Sequence, residues 1–207
     1  MTINHEMKVA LVTAGAAGIG RAIAERLMGD GVQVHICDID GDAIEAFTMQ
    51  YPDSTATEVD VSESEQVDAL FADIEKLYGR LDILVNNVGI AGPTAEVENV
   101  DPADWDRTIA VDLNSAFYVT RKAATMLKSR AGSIINMSSS AGLFGYPLRS
   151  PYVAAKWALI GLTKTWAMEM GPEGVRVNAI CPGSVDGPRI NQVIANDAKE
   201  RGLSEDK

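Results

Sequence analysis

Along the chain, short and continuously apolar runs alternate with longer segments whose apolar residues recur every three or four positions. The first kind reads as buried strands at 9–13, 32–37 (ending on Asp38), 55–59 (followed by Asp60), 81–85, 133–137 and 175–181. The second kind reads as helices. One uses Ile19, Ala22, Ile23 and Leu27 and stops near Gly29-Asp30-Gly31; the next carries Ile44 and Phe47 and breaks at Pro52. Ser62-Glu63-Ser64-Glu65 has the form of a capping box, opening a helix to about Tyr78 that turns Val67, Leu70, Phe71, Ile74 and Leu77 inward. Helical signals run from Pro102 to about Ser129, as one helix or two, and resume at Pro151. Strands that are apolar throughout, each followed by a helix, predict an α/β fold: a single doubly wound (Rossmann-like) parallel sheet with helices on both faces. No linker, repeat or low-complexity stretch divides it, so the expectation is one domain over 1–207.

In such a sheet, ligands bind beyond the carboxyl ends of the strands. Asp38, Asp60, Asn86-Asn87, Ser138-Ser139 and the turn after Cys181 all fall there. Ala14-Gly15-Ala16-Ala17-Gly18-Ile19-Gly20, between the first strand and helix, lacks bulky side chains, so its backbone N–H groups can approach a pyrophosphate; a ligand-free tight turn is the alternative. Asp38 lies 18 positions beyond Gly20. A carboxylate there accepts both hydroxyls of an adenosine ribose and repels a 2′-phosphate, and Ala16, Ala17 and Ile39 supply no cation for that phosphate. The reading favours NAD over NADP. Asp60 either meets the adenine amino group or caps the helix near Ser62.

Pro151 suits the first helical position, with Ser150 as the cap before it. Tyr152 and Lys156 then share one helical face, where the ammonium stabilises phenolate and makes the pair a candidate proton-transfer device.

Composition narrows the function classes. With 29 acidic and 18 basic residues, a net charge of −11 and no basic block, the chain does not suit nucleic-acid phosphates. Cys37 and Cys181 lack metal-ligand spacing and sit in apolar runs, as reduced buried thiols do. His5 and His35 are too few for zinc, so no metal is expected. The first six residues hold no apolar leader core and no 18-residue apolar run follows, so no membrane is expected and the location is read as cytoplasmic.

Together these motifs resemble, in order and from Val9 to Pro188, the classical short-chain dehydrogenase/reductase family. The run from Thr13 to Gly20 resembles its T-G-x-x-x-G-x-G cofactor turn; Asp60-Val61 resembles its adenine-contacting pair, and Asn86-Asn87-Val88-Gly89 resembles N-N-A-G. Asn114, in Val111-Asp112-Leu113-Asn114, is matched to the tetrad asparagine, whose helix kink frees a carbonyl for a water on the lysine. Asn136-Met137-Ser138-Ser139 resembles the serine strand, and Tyr152-x-x-x-Lys156 follows. Pro182-Gly183 resembles the turn beside nicotinamide.

The resemblance implies Asn114, Ser139, Tyr152 and Lys156 as catalytic residues, with Ser138 structural. It implies Gly15, Gly18, Ile19, Gly20, Asp38, Asp60, Val61, Asn87, Gly89, Tyr152, Lys156, Pro182, Gly183 and Val185 as cofactor contacts. The activity implied is reversible hydride transfer between NAD(H) and a secondary alcohol/ketone pair. The alternatives are an NAD-binding sensor or scaffold without turnover, and an epimerase or dehydratase built on the same Tyr-Lys pair. Ala14 stands where the family has glycine, with Gly15 expected to take up the turn, and Gly187 stands where it often has threonine.

The family usually continues through a substrate lid and a seventh strand, whereas this sequence ends at Lys207 with Ile190, Val193 and Ile194 read as lid. Gly142, Leu143, Phe144, Gly145, Tyr146 and Leu148 are expected to line an apolar part of the substrate pocket. Trp157, Leu159, Ile160, Leu162 and Trp166 spread apolar surface over more than one face of their helix, which predicts a homodimer or homotetramer.

Overall fold

A computed structural model describes residues 7–203; the leader reading at 1–6 and His5 lie outside the described residues. Six parallel strands form one sheet in the order β3-β2-β1-β4-β5-β6: β1 Val9–Thr13, β2 Gln33–Asp38, β3 Thr55–Glu58, β4 Ile83–Asn86, β5 Ser133–Met137 and β6 Arg176–Ile180. The helices are α1 Gly18–Gly29, α2 Gly41–Gln50, α3 Ser64–Tyr78, α4 Pro102–Ile109, α5 Ser115–Lys128, α6 Ser150–Met170 and α7 Pro188–Arg201. Among the described residues no helix is long and apolar enough to cross a membrane.

Alternation along β1 sends Leu11 to one core and Val12 to the other. Leu11 joins Val67, Leu70 and Ile74 of α3, Val119, Ala123 and Leu127 of α5, and Trp166 of α6. Val12 joins Ala24 of α1, Phe47 of α2 and Ile36 of β2. Because β1 pairs with β2 on one side and β4 on the other, the winding reverses between them. That reversal opens a crevice at the carboxyl ends of β1 and β4, where the polar residues collect.

Several local expectations shift. Ser62 does not cap α3: Glu63 takes the cap position with no side-chain bond. Asp60 Oδ1 instead accepts from the Ser62 N–H (2.9 Å) and hydroxyl (2.6 Å), and Gln66 Oε1 accepts from Asp60 N–H at 3.0 Å. The cap of α6 also moves by one residue, so that Ser150 is already helical and Arg149 stands at the cap position. The stretch after Pro102 resolves into α4 and α5 joined by a single wide π-turn, Ala110–Asn114.

His35 is buried in β2, its ring nitrogens bonded to Thr55 Oγ1 at 2.7 Å and Thr57 Oγ1 at 3.1 Å. Burial, partly offset by Asp73, pushes its pKa down to about 4. Such a depressed group contributes stability that is present above its unfolded value near 6.5 and is lost as pH falls toward 4. Urea unfolding should therefore show a loss of roughly 3 kcal/mol across that window from this group. His35→Gln should flatten the pH dependence by that amount.

Candidate active site

The crevice is built first by the turn after β1. Ala14, not Gly15, takes the left-handed conformation, with φ of 47°. The expectation for Gly15 is corrected on packing grounds: a Cβ there would lie 2.7 Å from Ile36 Cγ2 and 2.8 Å from the Val12 carbonyl. Gly15 is needed for close approach to β2, and Ala14 carries the left-handed cost of about 1–2 kcal/mol. Gly20 is equally constrained, since its Cβ would meet the Ala14 carbonyl oxygen at 2.1 Å and Asn87 Nδ2 at 2.5 Å. Gly18 differs: its φ is +54°, and nothing lies within 4 Å of a Cβ built on it.

Asn87 closes the wall from β4. Its amide donates to the carbonyls of Thr13 and Ala14, each at 3.1 Å, while its N–H donates to Thr13 Oγ1 at 2.9 Å. At the end of β2, Asp38 accepts from the N–H groups of Ala16 (3.1 Å) and Ile39 (2.8 Å). Each of its oxygens keeps further acceptor capacity. Ile19 packs partly buried against the β1–β2 core. The N-terminus of α1 has no side-chain cap at Ala17, so its first N–H groups are left for a ligand or water. An open glycine, an uncapped helix start and the Asp38 carboxylate at the end of β2 fit a dinucleotide.

The second half of the site is carried by α6. Lys156 is buried, donates to the Met137 carbonyl at 3.2 Å, and lies 5.5 Å from the Tyr152 ring centre. Its ammonium is 3.6 Å from Oδ2 of Asp112, which is fully buried and has no hydrogen-bond partner on that oxygen. The other oxygen, Oδ1, accepts from Ile90 N–H at 2.6 Å. Burial raises the Asp112 pKa, opposed by Lys156 and the Ile90 N–H. Gly89 must be small here, because a Cβ would come within 3.1 Å of the ammonium and 3.4 Å of both carboxylate oxygens.

The structure brings the Asp112 side chain to Lys156, from within the π-turn that ends at Asn114, where the sequence places a kink. Both belong to the π-turn, but residues two apart project to opposite sides of a helix, so only one can face α6. A sequence signal for this was present. Thr108, Asp112, Ser115, Val119 and Ala123 continue one buried stripe at three- and four-residue spacing, and Asn114 falls off it.

Ser138 is buried and donates to the Lys156 carbonyl at 2.9 Å. Ser139, half-buried at the end of β5, accepts from Ala141 N–H at 3.1 Å, which leaves its own hydrogen free to donate. Asn86 and Asn136, unassigned in the sequence, bridge β4 and β5 beneath the site: Asn86 Nδ2 donates to Asn136 Oδ1 (2.8 Å) and Thr120 Oγ1 (2.9 Å), and Asn136 Nδ2 to Thr163 Oγ1 (2.9 Å). Of the remaining predicted contacts, Asp60 ties the Ser62 turn and pairs with Arg107 at 3.6 Å, and the Val61 side chain is in the core. The Pro182 carbonyl accepts from Ser140 N–H, and Gly183 and Val185 line the exposed approach to α7. Gly187, with φ of 150°, precedes α7 and adopts a conformation a threonine would rarely take.

Residues 8–199 match the family model described as short chain dehydrogenase. The chain belongs to that family. Among curated relatives, a 3beta-hydroxysteroid dehydrogenase of Mediterraneibacter gnavus is 38% identical over 197 residues, covering 93% of this chain and 71% of the relative. A trans-4-hydroxycyclohexanecarboxylate dehydrogenase of Sinomonas cyclohexanicum is 40% identical, covering 87% and 73%. Among solved structures, an NAD+-bound xylitol dehydrogenase superposes with a TM-score of 0.89 at 30% identity, covering 93% and 76%. An actinorhodin polyketide ketoreductase with NADPH gives 0.92 at 28% identity, covering 99% and 81%. The chain is thus an oxidoreductase of the short chain dehydrogenase type, with a fold that binds a nicotinamide cofactor.

One feature of this short chain dehydrogenase that sequence reasoning missed is Arg149. Its guanidinium lies 4.9 Å from the Tyr152 ring centre, and Nη2 donates to the Ala91 carbonyl at 2.7 Å. Burial lowers its pKa. The predicted pocket lining divides in two: Leu143, Phe144 and Tyr146 are exposed, whereas Leu148 is buried.

Proposed function

We propose that the protein catalyses reversible hydride transfer between NAD(H) and a secondary alcohol/ketone pair, with Tyr152 as the acid/base group. The observation that carries the reading is the buried ammonium of Lys156 beside the Tyr152 ring, at the mouth of the crevice. Gly18, Gly20, Asn87 and the start of α1 would hold the pyrophosphate side of the cofactor, and Asp38 the adenosine ribose. When bound, nicotinamide supplies the hydride acceptor or donor. Tyr152 takes the hydroxyl proton during oxidation and returns it during reduction. Lys156 sets a positive charge beside the ring, and Ser139, whose hydrogen is free, orients the substrate oxygen. Asp112 and the Met137 carbonyl hold Lys156 in place.

NAD is favoured because Asp38 sets a carboxylate at the end of β2, which would accept ribose hydroxyls and repel a 2′-phosphate. Fluorescence titration should find NADH bound at least 10-fold more tightly than NADPH, and Asp38→Ala should narrow that ratio; tighter NADPH binding by the wild type would refute the assignment. Retention of both Tyr152 and Lys156 favours turnover over a silent sensor. The half-exposed Trp157 of α6, and Phe117 of α5, which lines a groove with Trp166 and Met170, support a homodimer or homotetramer. The absence of a basic block speaks against nucleic acid, and cytoplasmic residence stays part of this reading.

A further inference from the structure

Arg149 is the charged side chain at this site that hydride transfer leaves without a task. Of the five N–H donors of a guanidinium, the contact to the Ala91 carbonyl uses one. Nε is buried with no hydrogen-bond partner. Among the described residues no carboxylate pairs with this cation; Asp112 is engaged by Lys156 and Ile90, and Asp197 acts only at a distance. A second arginine, Arg189 of α7, bonds the Gly89 carbonyl two residues before Ala91 and adds positive potential. In a chain of net charge −11, this corner of the crevice gathers two arginines, neither of which forms an ion pair with a carboxylate among the described residues.

A half-buried guanidinium lacking a counter-ion is costly, and an oxyanion supplies both the missing charge and the missing acceptors. Position decides which oxyanion. Arg149 precedes Tyr152 by three residues and Lys156 follows it by four, so the two cations flank the phenol ring along the helix. Lys156 sits on the buried side against β5, and Arg149 on the side of the loop after β4. We infer that Arg149 binds a carboxylate of the substrate, placed a few bonds from the carbon that exchanges hydride, so that the substrates are hydroxy acids and oxo acids. This rests on the hydride-transfer reading above and adds the substrate class to it.

The test compares NADH-dependent reduction of 2-, 3- and 4-oxo acids with that of their uncharged amides, over a range of pH. At least one acid is expected to exceed its amide by about 100-fold in kcat/KM. Arg149→Met should collapse that ratio toward 1 through loss on the acid, and Arg149→Lys, which keeps the charge without the fork, should retain part of it. Butanoate should compete with the acid substrate in the wild type, and butanamide should not, which needs no variant to fold. Amides reduced as well as acids would overturn the inference and leave hydride transfer standing. Equal losses on acid and amide in Arg149→Met, with the pH profile displaced upward, would show that Arg149 acts through Tyr152 and overturn it too. NADH binding with no reduction of any carbonyl would instead refute the hydride-transfer reading, and the substrate class with it.

Discussion

Tyr152→Phe is expected to lower turnover about 10³-fold while leaving the fold and NADH binding intact. The substitution removes only the hydroxyl. The ring keeps its place between the Arg149 guanidinium at 4.9 Å and the Lys156 ammonium at 5.5 Å, so packing and both cation–π contacts survive. Stopped-flow or steady-state measurement of NADH consumption would register the loss, with thermal unfolding as the control for folding. Turnover close to that of the wild type would remove Tyr152 from the acid/base role.

Lys156→Met should be the more damaging change, because it acts on stability as well as chemistry. The fully buried carboxylate of Asp112 would lose the cation paired with it, and stranding a buried charge costs roughly 3–5 kcal/mol. Asp112→Asn in the same chain should recover much of this, since an amide needs no counter-ion and can still accept from Ile90 N–H. The pH dependence gives an independent sign. Asp112 is raised by burial, so its contribution is fully present below its unfolded pKa and is lost as pH rises through the higher folded value. The stability gap between Lys156→Met and wild type should therefore shrink as the solution is acidified, and it should not shrink in the Asp112→Asn background. Chemical denaturation of the four proteins at two pH values measures the whole cycle.

Asp112 matters for these predictions because it sets a buried carboxylate 3.6 Å from the Lys156 ammonium. Asp112 lies within the π-turn Ala110–Asn114, and a Cβ on Gly89 would come within 3.4 Å of both its carboxylate oxygens.

Strand and helix positions were legible because each depends on short-range periodicity: a continuous apolar run marked the two-sided burial of β1, whereas β3, Thr-Ala-Thr-Glu, is only partly buried, and three-to-four spacing marked α1 and α3. Tyr152 and Lys156 were legible for the same reason, since a four-residue step puts side chains on one face of any α-helix. Gly18, Gly20 and Asp38 followed from what a strand-to-helix turn and a strand end can present. What the tertiary structure alone decided depends on elements far apart in sequence. That Asp112 meets Lys156 depends on how the π-turn lies against α6. That position 15 has no room for a side chain depends on how closely the turn approaches Ile36 of β2. That Arg149 lies beside Tyr152 with a buried, unbonded Nε depends on the loop after β4 reaching across to hold it. Local spacing sets the face a residue occupies, and only packing sets what that face meets.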